Sequence, residues 1–217
     1  NVDGDKSMTI KLNGSTAGSV SLDAPASTTG SADIAFKLPV ADGSANQLLK
    51  TDGSGNLGWA TDVGGKFSSY AVINHSVAYN QGAGTFTNGA WRTRELNTEV
   101  TDADNIVSIS NNQFTLQAGS YLIKAQSPAY RVDQHVIRLY NVTDSSVDGV
   151  GMAVMTSSSF ASQTVSTLVT RITISGAKAF EIQHQCQTSH STYGLGLHHG
   201  ISGADSIYTI VEIYKES

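Results

Sequence analysis

Residues 111–127, "NNQFTLQAGSYLIKAQS", contain two short segments in which apolar and polar residues alternate. A single residue separates Phe114 from Leu116 in the first segment, and a single residue separates Tyr121 from Ile123 in the second. Alternation with a period of two places apolar side chains on one face of a β-strand. Asn-Asn before the first segment and Ala-Gly-Ser after it are typical turn residues. The stretch therefore predicts two strands separated by a turn.

Residues 67–217 show this strand-and-turn pattern along their whole length. No segment has the i, i+3, i+4, i+7 spacing of an amphipathic helix, and most segments are bounded by Gly, Asn-Asn or Asp-Ser turns. About ten short strands with frequent turns are typical of a sandwich or jelly roll. The predicted strands are FSSYAVINHSVAY, AWRTRELN, NIVSIS, QFTLQ, YLIKAQS, HVIRLYNV, VGMAVMT, TVSTLVTRITI, KAFEIQHQCQT and IYTIVEIYK.

The last of these strands has large apolar side chains on both faces. One face is expected to carry Ile207, Thr209, Val211 and Ile213. The other face is expected to carry Tyr208, Ile210, Glu212 and Tyr214. A sandwich strand has one core-facing side, so its second apolar face needs another body to bury it. We predict that Tyr208, Ile210 and Tyr214 lie at an interface between copies of the chain; the alternative is that the tyrosines are simply exposed.

Residues 1–66 contain short alternating apolar segments, such as Val20-Leu22 and Ile34-Phe36-Leu38, between stretches of turn residues. Segments this short cannot by themselves offset the ~1–2 kcal/mol per residue of backbone ordering. Three chains lying side by side would give each segment two partners and a dry centre. The pattern predicts a slender trimeric β-structured stem over 1–66, with Ile34, Phe36 and Leu38 at its interface. A flexible Gly/Ser-rich linker is the alternative.

The composition excludes several classes of protein. The chain has 13 basic and 18 acidic residues, a net charge of −5, and no basic stripe, which argues against nucleic-acid binding. No apolar run approaches the ~18–20 residues needed to cross a bilayer, so we predict no membrane insertion. One cysteine, Cys186, excludes an intramolecular disulfide framework. Because the chain begins with Asn1 rather than Met, we expect a fragment of a longer protein.

No catalytic motif is present in the sequence. There is no G-x-S-x-G elbow, H-E-x-x-H pair or P-loop. His184 and Cys186 share a strand face and could be drawn as a dyad, but a small buried cysteine beside a hydrogen-bonded histidine is the better interpretation. We predict that the chain is not an enzyme and has no cofactor.

Three histidines lie close together in "SHSTYGLGLHHG", namely His190, His198 and His199. In a trimer these segments could approach one another and hold a metal or an anion, but unliganded histidines are the simpler interpretation. The acidic segments at 101–105 and 143–149 could offer oxygen ligands to Ca²⁺ but lack EF-hand spacing. We therefore predict no metal site.

The order of segments in residues 67–217 resembles that of C1q/TNF-like trimeric jelly rolls. The resemblance rests on "FTLQAGSYLI", "VIRLYNV", "TVSTLVTRITI", "AFEIQHQ" and "SIYTIVEIYK". Separately, "IKLNGSTAGSVSLDAPA" and "FKLPVADGSANQLLKTDGSGNLGWA" resemble segments of tail-fibre and related virion proteins of bacteriophages. The collagen G-X-Y repeat that precedes vertebrate C1q-type heads is missing. Together the resemblances imply an all-β homotrimer, with a stem over 1–66 and an antiparallel jelly-roll head over 67–217.

The function that these resemblances imply is attachment of a phage virion to a host cell. The expected partners are other virion proteins and a glycan or protein of the host surface, and the expected location is the tail or capsid surface. Loops held by rigid strands usually carry recognition. The candidate receptor contacts are Tyr130, Arg131, Phe160, His190, Tyr193, His198 and His199. The alternative is a capsid or tail decoration protein without a receptor.

Overall fold

The structure is a computed structural model that describes residues 10–22, 25–62 and 64–217. The predicted stem therefore has its first nine residues, and residues 23, 24 and 63, outside the described part. The chain divides into two compact units, Asn1–Asp62 and Val63–Ser217. No helix in the described ranges is long and apolar enough to span a membrane.

The described part of the first unit, residues 10–22 and 25–62, contains two antiparallel hairpins. β1 (Ile10–Asn13) pairs with β2 (Ser19–Leu22), and β3 (Gln47–Thr51) pairs with β4 (Leu57–Thr61). A short 3-10 turn covers Thr29–Ser31. The segment at 34–38, expected to be a strand, makes only an isolated bridge between Lys37 and Asn56. The second hairpin was not predicted, because Gly and Asp interrupt its apolar residues.

The second unit, called the head below, has twelve strands within residues 64–217. They are β5 (Phe67–Val77), β6 (Arg92–Thr93), β7 (Thr98–Thr101), β8 (Val107–Ser110), β9 (Gln113–Leu116), β10 (Gly119–Tyr130), β11 (Gln134–Asn141), β12 (Ser146–Val150), β13 (Val154–Met155), β14 (Gln163–Ile174), β15 (Lys178–Cys186) and β16 (Ser206–Glu216). Each predicted segment contains one of these strands. The short strands β7 and β12 were not predicted.

Two antiparallel sheets form the head. The first sheet has the order β14-β10-β16-β5-β7, and the second has the order β12-β11-β15-β9-β8, with β13 on β11 and β6 on β15. The chain changes sheet at every connection of the head except β8 to β9, β11 to β12 and β12 to β13. These repeated crossings make the head a jelly-roll sandwich. The predicted all-β, antiparallel jelly-roll fold is confirmed.

The core between the sheets is filled by alternate residues of the long strands. Tyr121 and Ile123 of β10 belong to the same hydrophobic cluster as Ile137 and Leu139 of β11, and all four side chains are fully buried. Full burial of one such side chain contributes about 1.5–3 kcal/mol. The alternation in the sequence thus becomes the inward face of each sheet.

The two ends of the head lie side by side. Ser217 N donates to Lys66 O at 3.2 Å, and Ser217 Oγ donates to Gly65 O at 2.7 Å. The Glu216 carboxylate accepts two hydrogen bonds from Arg171, at 2.8 and 2.7 Å, and lies 3.2 Å from Lys66 Nζ. The hydrogen bonds from Arg171, together with Lys66, lower the pKa of Glu216 to about 2. The last strand is therefore anchored to the start of the head.

Candidate functional site

The outer face of the first sheet carries large apolar side chains that the head itself leaves exposed or half-buried. We call this surface, formed by Tyr70, Leu122, Val169, Ile210 and Tyr214, the outer face. Tyr70 is 54% exposed and Val169 is 67% exposed. Their neighbours along each strand point into the core, so these residues face away from it. An apolar surface of this kind is typical of an interface.

A network of charged and aromatic groups fixes the centre of the outer face. Tyr214 Oη donates to Glu212 at 2.6 Å, and this hydrogen bond raises the pKa of Tyr214. Lys124 Nζ lies 3.8 Å from the Glu212 carboxylate and 4.9 Å from the Tyr214 ring centroid. The Tyr70 and Tyr214 rings stack with centroids 6.3 Å apart. Beside them a shallow groove of about 190 Å³ runs between Lys124, Val169 and Ile210.

A second apolar surface lies along one edge of the sandwich. Val150, Met152 and Met155, called the apolar edge below, are each about 65% exposed. This segment is docked on β14, because Met152 N donates to Thr167 O at 2.8 Å and Ser166 Oγ donates to Met152 O at 2.7 Å. The backbone at the edge is thus held in place while its side chains face outward.

Tyr208 does not lie on the outer face, and its assignment there is corrected. A bulge between Ile207 and Ile210 shifts the alternation of β16. As a result Tyr208 is only 4% exposed and donates to Gln81 O at 2.6 Å, while Ile207 is 43% exposed instead of buried. A Tyr208 side chain buried within one copy has almost no surface to offer a second copy. Ile210 and Tyr214, half-buried, are placed on the outer face as predicted.

The predicted stem residues Ile34, Phe36 and Leu38 are 60%, 63% and 75% exposed. They lie on an extended segment held by two backbone hydrogen bonds, from Lys37 N to Gly55 O at 2.9 Å and from Leu57 N to Lys37 O at 2.8 Å. All three are accessible to another chain.

Arg131 differs in its surroundings from the other predicted receptor contacts. Its guanidinium donates to Ser158 O at 2.9 and 3.1 Å and also reaches Ser159 O, so it ties two loops together. Phe160, in the loop so tied, is 76% exposed. Arg131 therefore has a structural partner, whereas Phe160 has a free ring.

The remaining predicted contacts pack against one another at one end of the head. Tyr130 meets the His190 ring edge-on, with centroids 5.3 Å apart, and Tyr193 meets His198 in the same way at 5.2 Å. The His199 ring lies 6.3 Å from that of Tyr79. These histidines are thus paired with tyrosines, and no group of three or more metal-ligating side chains occurs within residues 10–22, 25–62 and 64–217.

A buried polar cluster under this end was not predicted from the sequence. Arg94 is 1% exposed; its Nε donates to Thr209 Oγ1 and its Nη2 donates to Leu195 O, both at 2.8 Å. Burial lowers the pKa of Arg94 to about 9, which leaves it charged at neutral pH. The sequence held one indication of this burial: Arg94 precedes the buried Leu96 by two residues, so in an extended chain both side chains point to the same side.

Histidines complete this cluster. His184 is fully buried, and its Nε2 lies 2.9 Å from His135 Nδ1; His135 Nε2 lies 2.9 Å from Thr164 Oγ1. Burial, followed by the charge of Arg94, lowers the pKa of His135 to about 4 and that of His184 well below its ordinary value. Both imidazoles are therefore neutral at neutral pH.

Cys186 does not form the dyad with His184 that the sequence raised as an alternative. It is 6% exposed, and burial raises the pKa of its thiol to about 11. His184 contacts His135 and Phe86 rather than the thiol. A protonated, buried thiol is a poor nucleophile.

No family model and no curated protein sequence matches the chain. Among solved structures, it is similar to the globular domain of zebrafish complement 1qA protein, with a TM-score of 0.38 and 13% identity over 68% of this chain and 96% of that one. It is also similar to murine APRIL, in crystal structures at pH 8.0 and pH 5.0. The TM-scores are 0.43 and 0.42, with 8% identity in each, over 68% and 67% of this chain and 98% of that one. The strand order, rather than these alignments, carries the assignment of the jelly roll.

Proposed function

We propose that the chain is a non-enzymatic, homotrimeric fibre protein of a phage virion whose head attaches to the host cell. One observation carries this proposal: both units keep large apolar side chains exposed in a single copy. In the first unit Ile10, Leu12, Val20 and Leu22 are each about 60% exposed or more, although they belong to paired strands. Strands of four residues with wet apolar side chains need further chains to bury them.

The head offers two different apolar surfaces, the outer face and the apolar edge. Contact between unlike surfaces is heterologous, and it closes into a ring when the rotation between neighbours permits. Closure at three copies is taken from the resemblance to C1q/TNF-like jelly rolls. In such a ring each copy presents its outer face to one neighbour and its apolar edge to the other.

The mass of the assembly in solution tests this arrangement. Light scattering should give three copies for the wild-type chain and fewer for Ile210→Asp, because a carboxylate would be buried without a partner. Ser108→Asp is the matched control, since Ser108 is exposed on the second sheet and the trimer should persist. A single-copy wild-type protein, or an unchanged mass for Ile210→Asp, would overturn the proposed interface.

Attachment would act through many weak contacts. Loop ends repeated over three chains and over several fibres raise avidity by orders of magnitude without strong individual contacts. The purified protein is expected to bind the cells to which whole virions adsorb. Failure to bind them under the same conditions would favour the alternative, a capsid or tail decoration protein.

A further inference from the structure

An arginine on the outward side of the second sheet is held in a fixed position by aromatic rings. The Arg138 guanidinium carbon lies 4.0 Å from the centroid of the Trp91 ring and 5.2 Å from that of Tyr140. Arg138 and Tyr140 alternate with the buried Ile137 and Leu139 on β11, so they face away from the core. Stacking on aromatic faces is a contact that arginine makes and lysine does not reproduce.

A chain of hydrogen bonds fixes the same guanidinium from below. Arg138 Nε donates to Gln183 Oε1 at 2.7 Å, and Gln183 Nε2 donates to Glu181 Oε1. Glu181 is only 8% exposed, so the last residue of this hydrogen-bond chain is buried. The pairs Arg138–Gln183 and Tyr140–Glu181 lie directly opposite each other on β11 and β15. The side chain is therefore ordered before any ligand arrives, which lowers the entropic cost of binding.

The two terminal nitrogens of Arg138 remain available. Only Nε of this guanidinium has a hydrogen-bond partner among the described residues, so Nη1 and Nη2 form an unused fork. Such a fork matches the two oxygens of a carboxylate. Because the chain has a net charge of −5, non-specific attraction would not concentrate anions on it, so an anion would need a specific site such as this fork.

The surroundings of the fork favour a sugar as the carrier of that carboxylate. The half-buried Trp91 and Tyr140 rings supply apolar surface beside the fork, and Gln185 and Thr93 lie nearby in the sheet with neutral groups that suit hydroxyls. We propose that Arg138, Trp91 and Tyr140 bind an acidic saccharide on the outward side of the second sheet. Its role as the host contact rests on the proposed attachment function.

Matched disaccharides test this site on the full chain. The chain has two tryptophans, so NMR of the two indole N–H groups reports on Trp91 while Trp59, in the first unit, is an internal control. Cellobiouronic acid should shift the Trp91 signal and leave that of Trp59 unchanged. Cellobiose, which has a neutral hydroxymethyl group in place of the carboxylate, should shift neither. A shift with cellobiose 6′-phosphate but none with the uronate would overturn the carboxylate assignment, as would no shift with any of them.

Two arginine substitutions separate the fork from general charge. Arg138→Lys keeps the charge but removes the bidentate geometry, and it should weaken the affinity for cellobiouronic acid about tenfold. Arg138→Gln should abolish binding, whereas Arg92→Gln, an equal charge change at an exposed residue of β6, should leave binding intact. Equal losses for Arg92→Gln and Arg138→Gln would overturn the proposal.

Light scattering on the same samples keeps the two proposals apart. Saccharide binding by a single-copy protein would end the trimer proposal and keep this site. An intact trimer that shows no Trp91 shift would end the saccharide-site proposal and keep the trimer proposal.

Discussion

Arg94 and the histidines around it place a permanent charge and three neutral imidazoles inside the head. Besides His135 and His184, His75 is 2% exposed, and its Nε2 lies 3.3 Å from the Glu95 carboxylate. Burial is the main cause that lowers the pKa of each histidine; the Glu95 carboxylate opposes this shift for His75, and Arg94 adds to it for all three. Protonation of any of these buried imidazoles would place a second positive charge near Arg94 with little water to solvate it.

The head should therefore lose stability in mild acid. An imidazole with a lowered pKa in the folded state takes up its proton more readily when unfolded, so its contribution is complete above 6.5 and is lost as the pH falls toward about 4. For His135 that interval corresponds to about 3 kcal/mol. Urea unfolding should show that the free energy of unfolding of the wild type decreases as the pH falls from 6.5 toward about 4. The decrease per pH unit should be smaller for His135→Gln. Parallel slopes would contradict this account.

Cys186 should be chemically inert in the folded head. Its pKa of about 11 and its burial leave almost no accessible thiolate at neutral pH. A thiol reagent should modify it slowly in the native protein and fully after denaturation. Rapid native modification would mean that this end of the head opens easily.

At the level of the element, the bulge in β16 determines which of its side chains point into the core and which lie on the outer face. Tyr208, before the register recovers, is fixed inside the head, and its ring leaves no room for a Cβ on Gly196. Tyr214, after the bulge, lies on the outer face. The two tyrosines of one strand therefore have different roles.

Substitution of these tyrosines should separate folding from assembly. Tyr208→Asp buries a carboxylate and should unfold the head. Tyr214→Asp should reduce the mass of the assembly measured by light scattering, while the β-sheet content measured by circular dichroism persists. Tyr208→Phe, the milder control, loses the hydrogen bond to Gln81 O and should cost about 1 kcal/mol. Equal loss of β-sheet content in both Asp variants would show that Tyr214 also supports the fold.

The strands of the head were predictable because alternation of apolar residues reflects burial on one side of a sheet. The short β7 and β12 were not predictable, since "TEVT" and "SVDGV" contain few apolar residues and owe their pairing to neighbouring strands. The bulge in β16 leaves no mark in the sequence. It depends on contacts with residues far along the chain, so the face of Tyr208 was assigned wrongly.

For the whole molecule, the proposed assembly should make stability depend on association, because both units keep apolar side chains exposed in a single copy. When folded copies associate, a higher protein concentration favours the assembled form. The melting temperature then rises with protein concentration. The thermal midpoint should rise by a few degrees over a hundredfold increase in concentration, and Ile210→Asp should flatten that dependence. A midpoint independent of concentration for the wild type would mean that single copies are stable alone.

The candidate sites were only partly predictable. Loop residues such as Phe160 stand out in a sequence because they follow turns, but the Trp91 and Arg138 site joins residues that are 47 positions apart. Their proximity follows from the pairing of β11, β15 and β6, which alternation does not specify. Tertiary register, rather than local pattern, creates that surface.

The adjacent ends of the head, where Ser217 bonds to Lys66 and Gly65, make this unit suitable for circular permutation. A short peptide joining residue 217 to residue 65, with new termini opened at Gly176 in the tight turn between β14 and β15, would preserve every strand neighbour. Such a rewired polypeptide would carry cargo fused at Gly176 instead of beside the original ends.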